Sequence, residues 1–260
     1  MPREATSSDS KHKKTKPGKV RLDVLLVERG LAPSRQRAQA LILAGQARAD
    51  GVKIDKAGTQ VASDARIEIT GETLRYASRA GLKLEGALED FTQSPRDRVC
   101  LDVGSSTGGF TDCLLQKGAR KVFAVDVTID QLDWKLRNDP RVVTVEKNAR
   151  YLTREDFAEP ADFVTVDVSF ISVSKILGNL VPLVAPRADF VILIKPQFEL
   201  EKRAVGKGGI VRDPALHQKA IDSLTEAAAT AGLEIVGVRP SHVAGAEGNQ
   251  EFFLHARRRG

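Results

Sequence analysis

The sequence predicts an α/β fold, a mostly parallel sheet with helices on both faces over residues 77–260, preceded by a small α+β unit over residues 20–76. Two patterns carry the prediction. Short, β-branched-rich runs at 99–103, 122–125, 142–145, 163–166 and 190–194 are spaced for intervening helices or loops, which is how a buried parallel sheet is written in sequence. Runs at 233–238 and 252–254 complete the sheet, with one antiparallel strand expected there. The third observation is charge: residues 1–19 hold six basic and two acidic residues, residues 20–60 seven and four, and the remainder 27 and 28. All the excess positive charge therefore lies in the first quarter, which suits a front part that binds a polyanion.

From the start, Lys11, Lys13, Lys14, Lys16 and Lys19 stand among Ser, Thr and Pro without apolar periodicity, so residues 1–19 are expected to be a disordered basic tail. Leu22, Leu25 and Leu26 then fall at helical spacing and Gly30 ends that helix. Ser34 caps a second helix that buries Ala38, Leu41 and Ile42, and Gly45 closes it. Val52 with Ile54, and Ile67 with Ile69, alternate as short strands. Arg35 and Arg37 occupy the first turn of the second helix, where the macrodipole disfavours positive charge and an external anion such as phosphate would relieve the conflict.

Composition excludes several classes. A chain of 260 residues with 42% hydrophobic content has no run approaching the ~18 apolar residues that span a bilayer. We therefore expect a soluble, cytoplasmic monomer without membrane attachment. Cys100 and Cys113 match no zinc or redox spacing and are expected to be reduced core thiols. The scattered His12, His217, His242 and His255 imply no metal.

The chemistry begins where the first strand of the sheet runs through Asp102 into Gly104, Ser105, Gly108, Gly109 and Phe110 and on to Asp112. A glycine-rich turn between strand and helix lets a ligand approach the backbone at the carboxyl edge of the sheet. The loop has neither the Gly-Lys-Ser/Thr of a phosphate loop nor dinucleotide glycine spacing. Asp126 closes the second strand, placed to accept both hydroxyls of an adenosine ribose. Asp167 and Lys195 end later strands, so both charges should emerge at the same edge, and Lys83 and Glu251 complete the set.

Two resemblances attach to these residues. Arg21-Leu22-Asp23, Ser34-Arg35 with Ala38, Ile42, Gly45 and Gly51 resemble the S4 domain of RNA-binding proteins, which implies RNA contacts by Arg21, Arg35 and Arg37. The catalytic part resembles the FtsJ-type 2'-O-methyltransferases, and the whole chain resembles the TlyA or hemolysin A family, S4-fused methyltransferases of ribosomal RNA. The matching segments are Ser78 to Leu84, Asp102 to Asp112, Val166 to Ser172, Ile194 to Glu199, and Gly248 to Glu251. Phe110 departs from the tryptophan of several FtsJ-type enzymes and retains an aromatic ring.

The resemblance implies a Rossmann-like class I methyltransferase domain that uses S-adenosyl-L-methionine and acts on rRNA or ribosomal subunits. It implies a catalytic tetrad of Lys83, Asp167, Lys195 and Glu251. The implied cofactor pocket is Asp102, Gly104, Ser105, Gly108, Phe110, Asp126, Asn148 and Ala149, although Asn148 also reads as a turn former. The tetrad makes chemical sense on its own terms. A ribose hydroxyl must be aligned with the methyl carbon and relieved of its proton. One lysine serves as base, here taken to be Lys195, and the other as electrostatic support; sequence leaves the two interchangeable. The segment 206–213, Gly-Lys-Gly-Gly-Ile-Val-Arg-Asp, reads equally as a loop closing over RNA or a plain connector. Arg257, Arg258 and Arg259 add positive charge for phosphate contacts.

Three competing readings make different predictions. A membrane-lysing protein should leak liposomes, yet no amphipathic apolar helix is visible. A non-catalytic ribosome-assembly factor should bind the cofactor without turnover. An NAD enzyme should be stabilised by NAD rather than by S-adenosylmethionine.

Overall fold

A computed structural model of the chain describes residues 18–32, 35–43, 45–70, 75–201, 205–245 and 248–260. The tail segment 1–17, the Ser34 cap and the side chains of Arg37 and Lys207 lie outside the described residues. The chain divides into two compact units, one up to residue 72 and one from residue 73.

In the first unit, β1 (Lys19–Arg21) leads into α1 (Leu22–Glu28) and α2 (Arg35–Leu43), followed by β2 (Ala47–Ala49), β3 (Val52–Ile54), β4 (Gln60–Ala62) and β5 (Ile67–Ile69). Lys19, read from sequence as tail, is the first residue of β1 and pairs with Ala62 of β4. A three-stranded antiparallel sheet runs β3-β2-β5. Its hairpin turns at Asp50 and Gly51, both with positive φ, the backbone that suits a two-residue turn between twisted strands. Leu22, Leu26, Ala38 and Ile42 are fully buried and form the centre of this unit's core.

The second unit is built on a seven-stranded sheet of β6 (Val99–Val103), β7 (Lys121–Asp126), β8 (Val142–Glu146), β9 (Phe163–Val166), β10 (Asp189–Ile194), β11 (Leu233–Pro240) and β12 (Phe252–Arg258). The order is β11-β12-β10-β9-β6-β7-β8, and β12 runs antiparallel to both its neighbours while the other pairings are parallel. Between the strands lie α3 (Ala80–Asp90), α4 (Gly109–Gln116), α5 (Trp134–Arg137), α6 (Ser174–Leu180), α7 (Pro196–Glu199) and α8 (Pro214–Thr230).

Alternation along the strands sorts the side chains into two layers. Leu101, Val103, Phe190 and Ile192 face a core completed by Ile176 and Leu177 of α6 and Leu224 of α8. Cys100, Val191 and Leu193 face the opposite core, closed by Leu84 of α3, Cys113 and Leu114 of α4, and Leu136 of α5. Both cysteines are free and buried. Burial pushes their thiols up, that of Cys113 to about 12. Asp213 caps α8 by accepting from Ala215 N, with Pro214 in the first turn. Among the described residues no helix is long and apolar enough to cross a membrane, and no group of three or more His, Cys, Asp or Glu could hold a metal ion.

Candidate active site

The parallel strands deliver their last residues to one edge of the sheet, and there the chain crosses itself closely. Gly104 follows β6 with φ +88°, and a Cβ on it would lie 2.2 Å from the carbonyl oxygen of Asp167. Only glycine fits both the conformation and the approach. Asp167 N in turn bonds Val103 O at 2.9 Å, so the ends of β6 and β9 are locked together.

Beside this crossing lies a cavity of about 500 Å³ bordered by Gly104, Asp126, Asn148, Ala149, Asp167 and Ile171, a size that holds a small-molecule cofactor. Asp126 ends β7, and its carboxylate accepts from Ser106 N at 2.9 Å and Val127 N at 2.7 Å. These amides, with Thr128 N at 3.4 Å on the same oxygen as Val127 N, fix its orientation, and Oδ2 retains acceptor capacity. Asn148 accepts from Arg150 N at 3.0 Å, capping the 3-10 turn Ala149–Tyr151, and lines the cavity as well.

The four charged residues singled out in the sequence form two ion pairs. Lys195 Nζ lies 2.5 Å from Asp167 Oδ1 and donates to Ser169 Oγ at 2.9 Å. Lys83 Nζ, on α3, lies 2.5 Å from Glu251 Oε2. Glu251 is 2% exposed, and burial of such a charge is tolerable because its partner is in place. A Cβ on Gly245 would meet Glu251 Oε1 at 2.1 Å, so backbone closes over this carboxylate.

The comparisons with known proteins agree with this edge. A family model described as FtsJ-like methyltransferase matches residues 76–258, and a model of the S4 domain matches residues 20–67. The chain belongs to the FtsJ-like methyltransferase family. Within it, the chain is similar to a 16S/23S rRNA (cytidine-2'-O)-methyltransferase TlyA of Mycobacterium tuberculosis, 46% identical over 241 residues that cover 92% of this chain and 90% of that protein. The Hemolysin A of Brachyspira hyodysenteriae is 42% identical over 238 residues, covering 91% of this chain and 99% of its own. A solved structure of a protein described as a candidate hemolysin from Streptococcus thermophilus superposes with a TM-score of 0.73 at 40% identity, covering 94% of this chain and 90% of that one.

Against this FtsJ-like frame, the sequence-predicted residues fall into two groups. Gly104, Asp126, Asn148 and Ala149 border the cavity, as does Asp167. Asp102, Ser105, Gly108 and Phe110 lie behind it. Asp102 is fully buried and accepts from Thr111 Oγ1 at 2.6 Å and Thr165 Oγ1 at 2.9 Å. Burial pushes its carboxyl up to about 6. Phe110 is 2% exposed and packs 6.2 Å from Phe253, and Gly108 is pressed against Leu132 and Leu136. These residues support the loop from inside. Sequence reasoning did not single out Ser169 and Ser172, although both stand in the quoted segment after β9.

In the S4 unit the structure revises the reason for the arginines. Asp23, 0% exposed, accepts from Arg21 Nε and Nη2, both at 2.9 Å, from Arg35 Nε at 3.0 Å and from Gln39 Nε2 at 2.8 Å. The anion needed at the first turn of α2 is thus supplied from within the unit. The bonded Arg21 guanidinium, with Gln39 and Arg35, holds the Asp23 carboxyl well below the usual range despite burial. The Arg21 and Arg35 side chains remain 41% and 57% exposed, which leaves a basic face in place.

Proposed function

We propose that this FtsJ-like methyltransferase transfers the methyl group of S-adenosyl-L-methionine to the 2'-hydroxyl of a cytidine ribose in 16S rRNA, 23S rRNA or both. It acts as a cytoplasmic monomer, with the S4 unit holding rRNA through Arg21, Arg35 and Arg37. The observation that carries this reading is the Lys195–Asp167 pair at the border of the cofactor-sized cavity. The rRNA (cytidine-2'-O)-methyltransferase activity named for the Mycobacterium tuberculosis relative agrees with it.

The cavity suits the cofactor in chemistry as well as size. The Asp126 carboxylate is oriented to accept a ribose diol, Val127 and Ile171 offer apolar walls for adenine, and Gly104 lets the methionine portion pass close to the backbone. When bound, the sulfonium supplies an electrophilic methyl group. The protein must then align a ribose oxygen with it and remove that oxygen's proton. Lys195 orients the hydroxyl, with Nζ fixed by Asp167 and Ser169; it takes the proton as the neutral amine, after the ammonium of the resting pair has given one proton to solvent. Lys83, locked to Glu251, supplies positive charge that favours the oxyanion as the proton leaves.

Purified protein incubated with methyl-labelled S-adenosylmethionine and, separately, small and large ribosomal subunits from a strain lacking the enzyme should label rRNA. Cofactor binding without label on either subunit would refute the proposal.

A further inference from the structure

Lys195, proposed to act on the ribose hydroxyl, and Asp167, which fixes its Nζ, sit on separate short connections, 195–199 after β10 and 167–173 after β9. Their relative position depends on what ties these connections together. The first tie is the Lys195 contact with Asp167 and Ser169. The second is aromatic: the Phe170 and Phe198 rings lie 5.3 Å apart, and Lys195 Nζ lies 6.0 Å from the Phe198 ring centre. The third is made by Glu199. Its Oε2 accepts from Ser172 Oγ at 2.5 Å and its Oε1 from Val173 N at 3.0 Å.

We propose that Glu199 is a positioning residue for methyl transfer, holding the Asp167-bearing connection against the Lys195-bearing turn. The inference rests on the rRNA 2'-O-methylation proposed above. Glu199 is well placed to act through Lys195. The amides of Phe198 and Glu199 both bond Lys195 O, at 2.8 and 3.3 Å, so a shift of Glu199 is passed to the lysine within a single turn. On the other side Val173 is the residue from which α6 departs, so the clamp grips the point where the connection meets a packed helix. Burial pushes the Glu199 carboxyl up, and the two donors act against that cost. A carboxyl in so unfavourable a place, bonded among the described residues to Ser172 and Val173 alone, is explained by the alignment it maintains. Misplacement of reacting groups by about 1 Å costs on the order of a hundredfold in rate.

The test measures kcat, KM for ribosomal subunits, cofactor Kd and thermal midpoint for the full chain and for Glu199→Ala, Glu199→Gln and Ser172→Ala. Glu199→Ala should lower kcat by roughly tenfold or more while cofactor Kd stays within about threefold. Glu199→Gln should recover most of the rate, since its amide oxygen still accepts from Val173 N and the Ser172 hydroxyl can turn to accept from its nitrogen. A wild-type kcat in Glu199→Ala overturns the proposal, as does a loss matched by equal loss of cofactor binding. Should Glu199→Ala fail to fold, Ser172→Ala decides: a kcat lowered about threefold at unchanged KM supports the clamp, and an unchanged kcat overturns it. An inactive wild-type chain that binds the cofactor refutes the rRNA assignment itself, and the clamp falls with it as a claim about methyl transfer.

Discussion

Ile194 of β10 faces Phe252 of β12 across the antiparallel ladder. That register puts Lys195, one residue beyond Ile194, and Glu251, one residue before Phe252, at adjoining strand ends on the edge where β9 delivers Asp167. An antiparallel seventh strand is therefore part of the site: it alone can bring a residue that precedes a strand to the edge reached by residues that follow strands.

Lys195→Ala should lower the rate of methyl transfer by about a hundredfold or more, the scale of a lost general base. Cofactor affinity should be unchanged, because Lys195 is absent from the cavity lining. Single-turnover kinetics with calorimetric cofactor titration separates the two quantities, and near-normal turnover would remove Lys195 from the mechanism.

Asp126→Ala should act in the opposite way. Loss of the carboxylate held by Ser106 N and Val127 N removes the acceptor proposed for the ribose diol. The cofactor Kd should rise about ten- to hundredfold, in line with loss of hydrogen bonds to a charged group. Equilibrium dialysis with labelled cofactor measures this.

Lys83→Met should destabilise the catalytic unit by about 3 kcal/mol, since it leaves the 2%-exposed Glu251 as an uncompensated buried charge. Adding Glu251→Gln in the same chain should restore part of the loss, and denaturant unfolding of both variants reads this coupling.

Asp102 gives stability a pH dependence of defined sign. Its folded-state carboxyl is raised to about 6 by burial, above the ~3.9 of an unfolded aspartate. Between these values the native state binds more protons than the unfolded one, so this contribution to stability is full below about 4 and is lost as pH rises to about 6. Asp102→Asn, which keeps the shape, should flatten the dependence in that window when unfolding midpoints are compared across pH.

The sheet was legible because each central strand is buried on both faces and is written as a short run rich in β-branched, aromatic or aliphatic residues, as in Phe163–Val166 of β9 and Phe190–Ile194 of β10. In the front unit β2 and β4 gave no such signal: Ala47-Arg48-Ala49 buries two small side chains of little strand preference, and Gln60-Val61-Ala62 offers a single β-branched residue. At the site, charges ending strands were readable from spacing, and the resemblance grouped the tetrad. Spacing could not tell cavity from core. Asp126, at the end of β7, opens to the cavity, whereas Asp102 lies inside β6 and turns into the protein toward Thr111 and Thr165. Nor could it show that Arg21 and Arg35 already share an internal anion, because Asp23 meets Arg35 only once α1 packs on α2.

The most direct measurement is alkaline hydrolysis and mass spectrometry of rRNA after reaction with methyl-labelled S-adenosylmethionine. A methyl on a ribose 2'-oxygen blocks attack on the adjoining phosphodiester, so the account predicts a labelled, alkali-resistant dinucleotide with the methyl on the sugar of a cytidine. Label on a nucleobase, released in alkali-sensitive mononucleotides, would contradict it.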